Sequence, residues 1–175
     1  MRRAVAGNRF LFRLTETPYV EAMPSSDIGP AVAVFREILP GSSEYGAAVA
    51  LRHAVLRAPL GLEFTHAEIA DEPKCFHLAA IAGGEVIGTL LLKPLDAQAV
   101  KMRQVAVHPD LQCRGIGARL VRFAEAFARE KGCARVVAHA RGTALTFYER
   151  LGYTAEGAPF LEKTIPHQLV MKRLD

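Results

Sequence analysis

Apolar residues follow a helical period in some stretches of the chain and a strand period in others. Residues 76–81 form a short apolar run, Gly83-Gly84 follows, and residues 86–92 form a second run. Two apolar runs joined by a Gly-Gly pair predict a β-hairpin, because both turn positions need the positive φ that glycine tolerates. Residues 102–107 predict the next strand, closed by His108-Pro109-Asp110, in which His108 is a turn residue. The period then changes. Ile116, Leu120, Phe123, Ala124 and Phe127 recur at helical spacing, and Lys131-Gly132 ends that helix. Residues 134–139 predict a strand, residues 143–150 a short helix stopped at Gly152, and residues 153–174 two final strands. Upstream, residues 31–35 predict a strand that runs out at Pro40-Gly41. Ser42 and Ser43 offer helix caps, with Glu44 in the first turn. Val49, His53 and Leu56 then mark the core face of a helix stopped by Pro59 and Gly61.

This order of elements combines hairpins with a strand–helix–strand unit. It predicts an α+β (mixed α/β) domain: a mixed, mostly antiparallel sheet flanked by helices. The domain is expected at residues 31–175. Residues 1–30 carry Pro18, Pro24, Pro30 and Ser25-Ser26-Asp27 with poor periodicity, so they read as an N-terminal arm, with at most an edge strand at residues 10–14. The chain has 175 residues, 50% hydrophobic and 23% charged. That suits one globular core and excludes a disordered or collagen-like chain. The three cysteines, Cys75, Cys113 and Cys133, are odd in number and lack the spacing of a disulfide framework or zinc knuckle. No His, Cys and carboxylate spacing suggests a metal. Near the start the longest apolar run is Phe10-Leu11-Phe12, too short for a signal peptide, and no segment approaches the length of a membrane span. A cytoplasmic location is the expectation.

Net charge is +4, which points to an anionic partner without naming one. Much of the excess is local. Residues 112–131 hold five basic and two acidic side chains. Arg119, Arg122 and Arg129 share their helix with Glu125 and Glu130, a solvated face rather than a nucleic-acid stripe. The centre of the basic region is a glycine-bearing loop leading from a strand into a helix, with Gln112, Cys113, Arg114, Gly115, Ile116, Gly117 and Ala118 in succession. The first N–H groups of a helix have no intrahelical acceptor and sit at the positive end of its dipole, so the loop suits a phosphate or pyrophosphate. Gly115 and Gly117 allow close approach of the backbone, and Arg114 adds a charged donor. A P-loop would need Gly-Lys-Ser/Thr, but Ala118-Arg119 follow Gly117. A dinucleotide fingerprint would need a third glycine where Leu120 stands.

The pattern Gln112-x-x-Gly115-x-Gly117-Ala118 resembles the Q/R-x-x-G-x-G/A signature of the GCN5-related N-acetyltransferases (GNAT). A second stretch, from Ala144 through Phe147-Tyr148 to Gly152-Tyr153, resembles the A-x-x-F-Y-x-x-x-G-[FY] helix of the same family. The resemblance implies the GNAT fold and an acetyl-CoA-dependent N-acetyltransferase in which an amine attacks the thioester directly; the alternative is a coenzyme A-binding sensor or interaction module without turnover. Its partners would be acetyl-CoA and an amine acceptor, small molecule or peptide, with no metal, nucleic acid or membrane, and with homodimers common in the family.

The resemblance also implies roles. The loop from Gln112 to Ala118 would hold the pyrophosphate, and Val105, Ala106 and Val107 would pair with the pantetheine. Ala144, Phe147 and Tyr148 would border the coenzyme. Arg141 stands where the family often has asparagine, so it would reach a coenzyme phosphate instead. Tyr148 matches the tyrosine that protonates the departing thiolate; a phenol holds its proton at neutral pH. An acceptor amine is mostly protonated at that pH, so a general base is needed, with His167, His139 and Glu162 as candidates. Cys113 is incidental, and His53 is expected to pack against the core.

Overall fold

A computed structural model describes residues 33–174. The arm, with the strand expected at residues 10–14, lies outside the described residues. Gly83 and Gly84 both take positive φ, 58° and 84°, and join β2 (Phe76–Ala82) to β3 (Glu85–Asp96) as the Gly-Gly pair predicts. β4 (Ala99–Val107) returns beside β3. α3 (Ile116–Glu130) then crosses the sheet, and β5 (Arg135–Arg141) lies parallel to β4, completing the strand–helix–strand unit. A short turn of helix leads to α4 (Leu145–Arg150), and β6 (Thr154–Glu162) and β7 (Ile165–Arg173) close the chain. With β1 (Val34–Ile38) on the far edge, the strands form one seven-stranded sheet in the order β1-β2-β3-β4-β5-β7-β6, antiparallel except at β4–β5.

Residues 31 and 32 of the expected strand lie outside the described residues, and β1 continues past the apolar run through Arg36 and Glu37. Pairing decides this: the edge of β2 offers ladder partners from Ile81 to His77, opposite Val34 to Ile38.

The two helical faces differ. α3 lays Ile116, Leu120, Val121, Ala124 and Phe127 against Leu78, Leu90, Leu92, Val100, Met102, Val136 and Ala138, the main apolar core. Each fully buried Leu or Phe side chain contributes about 1.5–3 kcal/mol. On the other face lie α1 (Ser43–Leu56) and the short α2 (His66–Ala70), which periodicity did not foresee. Ser42 caps α1, its hydroxyl accepting from the Tyr45 N–H at 3.1 Å. The face expected to be buried is wrong, however. α1 buries Ala48, Leu51 and Arg52, while Val49, His53 and Leu56 stay half-buried. His53 lies 2.8 Å from the Glu63 carboxylate at the rim instead of packing in the core. α1 turns this way because the buried Glu72 carboxylate and Gln104 amide oxygen lie beneath it, and an arginine can satisfy them where a valine cannot.

Candidate active site

β4 and β5 pair only from Ala99–Met102 to Arg135–Ala138. Beyond that, β4 stays with β3 and β5 stays with β7, so the facing edges of residues 103–107 and 139–141 part company. A bulge contributes to the split. Between Leu91 and Thr89 the register of β3 against β4 shifts, and Gln104 takes φ 53°, a left-handed conformation costing about 1–2 kcal/mol for a residue with a Cβ.

Arg52 supports the bulge. Fully buried, it gives both Nη groups to the Glu72 carboxylate (2.7 and 2.9 Å) and one of them to Gln104 Oε1 (2.5 Å). Tyr45 donates its hydroxyl to Glu72 at 2.7 Å. Burial would raise the Glu72 carboxyl, but the Arg52 and Tyr45 hydrogen bonds outweigh it and hold it below the usual range. Sequence reasoning missed this network, since nothing in a helix pattern marks one arginine as buried.

Past the bulge the N–H of His108 donates to Ile87 O on β3 at 2.9 Å. Successive N–H groups of a strand point to opposite edges, so that of Val107 points to the open side. The Gln112 side-chain amide donates to Val107 O at 3.1 Å, folding the loop back onto the strand end. Cys113 (φ 60°) and Gly115 (φ 80°) turn the chain into α3, whose N-terminus no side chain caps. Cys113 and Arg114 are exposed, and Ile116 anchors the turn in the core. Gly117 lies between Val107 and Phe147, where a Cβ would meet each at 3.6 Å, an ordinary packing distance. Ala118 is half-buried behind it, and Ala106 is buried in the strand.

On the other side of the opening lies a cavity of about 390 Å³. Val105, Ala144, Arg141 and all four candidate catalytic residues line it; Ala106, Val107, Phe147 and the loop at residues 112–118 do not. The structure thus divides the expected site residues between two sides of one opening. Tyr148 is 6% exposed, wedged edge-on against Phe147 (5.1 Å) and Tyr153 (5.4 Å), and burial pushes its phenol up to about 12. His139 Nδ1 lies 2.6 Å from Glu162 Oε2, and its ring meets Phe160 edge-on at 4.7 Å. Burial would raise Glu162, but the hydrogen bond and charge of His139, with the charges of His167 and Lys101, hold it down. Lys101 Nζ stands 3.0 Å from His139 Nε2. His167 is turned to its own strand, its Nδ1 2.9 Å from Ile165 O. Arg141, expected at a coenzyme phosphate, instead donates to Leu56 O at 3.1 Å, at the end of α1. Lys101 was overlooked because the strand was read from residue 102. The alternation Val100, Lys101, Met102, Arg103 marks it as facing away from the core. Among the described residues no cluster of His, Cys, Asp or Glu could hold a metal ion.

The model of the acetyltransferase (GNAT) family matches residues 47–153. Mycothiol acetyltransferase of Mycolicibacterium gilvum (strain PYR-GCK) is 39% identical over 107 residues, 56% of this chain, which spans only 33% of that larger protein. An uncharacterised Bacillus subtilis (strain 168) protein, YyaT, is 25% identical over 127 residues, 68% of this chain and 85% of that one. The crystal structure of a GNAT family acetyltransferase from Elizabethkingia anophelis with acetyl-CoA bound superposes with a TM-score of 0.64 at 19% identity, covering 81% of this chain and 98% of that one, and shows the same fold. A split sheet, an uncapped helix N-terminus beside it and a family match over more than half the chain place this protein in the GNAT acetyltransferase family.

Proposed function

We propose that the chain is an acetyl-CoA-dependent N-acetyltransferase that transfers the acetyl group by direct attack of an amine. The parted edges of β4 and β5 carry this reading, because they join an anion-binding loop to a cavity holding both an acid and a base. The loop fits a pyrophosphate: the uncapped N–H groups of α3 and the exposed Arg114 supply donors, and Gly117 brings no Cβ. The open edge at Val105 and Val107 offers main-chain hydrogen bonds to the pantetheine arm. Acetyl-CoA supplies the thioester. The Val107 N–H, aimed into the opening, stabilises the charge that develops on its carbonyl oxygen.

His139 is the base of choice. Its Nδ1–H is held by Glu162, which leaves the Nε2 lone pair facing the cavity. The Lys101 ammonium lies over that ring, 3.0 Å from Nε2 and 3.2 Å from Nδ1. As the nitrogen–carbon bond forms and the carbon–sulfur bond breaks, the amine proton passes to His139 and the Tyr148 proton passes to the thiolate. A phenol raised to about 12 keeps that proton at neutral pH.

The test is free-thiol release from acetyl-CoA over a panel of amines. Tyr148→Phe should lower kcat about 100-fold or more with little change in KM. Full activity of Tyr148→Phe at every pH would sink the acid role, and saturable binding of acetyl-CoA without release for any amine would sink the enzyme reading.

A further inference from the structure

On the face of the sheet that lines the cavity, basic residues stand side by side on three strands. Lys93 on β3 is directly opposite Lys101 on β4, Arg103 is two residues further along β4, and His139 and Arg141 follow on β5. Like charges directly opposite in a sheet are destabilising, so each needs an opposing charge. Lys93 and Arg103 have one: Asp71 lies 2.5 and 3.6 Å from them. Arg57, also in the wall, has Glu68 at 2.9 Å. Lys101 and Arg141 touch no carboxylate among the described residues. Lys101 rests on the His139 ring, and Arg141 donates to a main-chain oxygen. The nearest acid in the wall, Glu162, is held by His139. Burial lowers the Lys101 ammonium, so the fold keeps a cation where it is poorly solvated.

We propose that the acceptor is a small amine that also carries an oxyanion, a carboxylate or a phosphate, seated between Lys101 and Arg141. The inference rests on the acetyltransferase reading and specifies its acceptor. His139 stands between the two cations, two residues from Arg141 on the same face of β5. That spacing of about 7 Å sets how far the oxyanion lies from the reacting nitrogen. The charge also serves the reaction. An oxyanion draws the Lys101 ammonium away from the ring, so that it opposes less the positive charge His139 gains when it takes the amine proton. A polycationic amine meets repulsion at both positions.

Two measurements on the full chain test this. In the first, inorganic phosphate and acetate are titrated separately into protein saturated with coenzyme A, so that the helix N-terminus is already filled. Saturable binding is expected. Lys101→Met combined with Arg141→Gln should weaken it at least about tenfold, and Lys101→Arg should retain it. The tighter ligand tells carboxylate from phosphate. No binding by the wild type, or equal binding by the double variant with its melting temperature intact, overturns the proposal. In the second, turnover is compared for β-alanine, 2-aminoethyl phosphate, ethanolamine and the polycation kanamycin. The oxyanion-bearing amines should exceed ethanolamine at least about tenfold in kcat/KM, through KM, and the double variant should erase the difference. Faster turnover of ethanolamine or kanamycin overturns the proposal. So does a double variant that raises KM for acetyl-CoA while keeping the preference, since Arg141 would then serve the coenzyme. If phosphate or acetate binds as expected while no amine is turned over, it is the acetyltransferase reading that fails, and the anion site stands.

Discussion

On one face of the sheet α3 lays Leu120, Val121, Ala124 and Phe127 on an apolar surface; on the other, α1 lays Arg52 on Glu72 and Gln104. The first face is held by burial that is non-directional and tolerant of small shifts. The second is held by charge-assisted hydrogen bonds that fix one geometry and fail if one partner is lost. Function divides along the same line. The α3 face ends in the loop proposed to hold the coenzyme's pyrophosphate, and the α1 face borders the cavity proposed for the acceptor. A sheet built this way keeps its coenzyme end on a plain core, while the bulge that parts β4 from β5 depends on the polar face.

The contrast can be broken most severely at Arg52. Arg52→Ala leaves the buried Glu72 carboxylate without its bidentate partner and should cost about 3–5 kcal/mol by urea denaturation. Replacing both partners, Arg52→Met with Glu72→Leu, should recover most of that loss. A single-variant loss no larger than that of an exposed arginine would show that the face does not depend on the pair. Leu120→Ala on the opposite face should cost about 2–5 kcal/mol through the cavity it leaves. The sheet separates Leu120 from Arg52, so the two losses should add to within about 0.5 kcal/mol; a larger coupling would show the faces acting as one unit. At the coenzyme end, Gly115→Ala should cost about 1–2 kcal/mol, because a new Cβ meets nothing within 4 Å and only the positive φ opposes it. An unchanged stability would mean the turn relaxes freely.

The smallest effect is a pH dependence on the polar face. Burial would raise the Glu68 carboxyl, but hydrogen bonds from the Thr65 N–H, Lys163 and the Thr65 hydroxyl, with the Arg57 charge, bring it down from 4.5 to about 2. A carboxyl lowered on folding stabilises the protein above 4.5, and that contribution disappears as pH falls from 4.5 to 2. Glu68→Gln should therefore lower stability at neutral pH and flatten the fall across that window, so that the two proteins converge as pH approaches 2. An equally steep acid limb in the variant would count against it.

How much was legible in the sequence follows the same contrast. The hairpin at Gly83-Gly84, the apolar stripe of α3 and the run from Gln112 to Ala118 are local signals, each legible within one short stretch of the chain. The pairing of His139 with Glu162 is not of this kind. The two residues lie on β5 and at the end of β6, and only the order β5-β7-β6 brings them within 2.6 Å. Periodicity buried the wrong side of α1 because it scores apolarity, whereas the sheet beneath α1 rewards an arginine.

The sequence by itself determined the hairpin, the strand–helix–strand unit, the family and the loop proposed for the coenzyme, since turn chemistry, capping and helical period are short-range properties of the chain. Tertiary structure alone decided the rest: that Arg52 is interior, that Gln104 is forced into a bulge, that Arg141 turns to Leu56, and that Lys101 stands over the His139 ring. Those outcomes depend on which side chains strand pairing and helix packing bring together from distant parts of the chain, and on how each buried charge finds a partner.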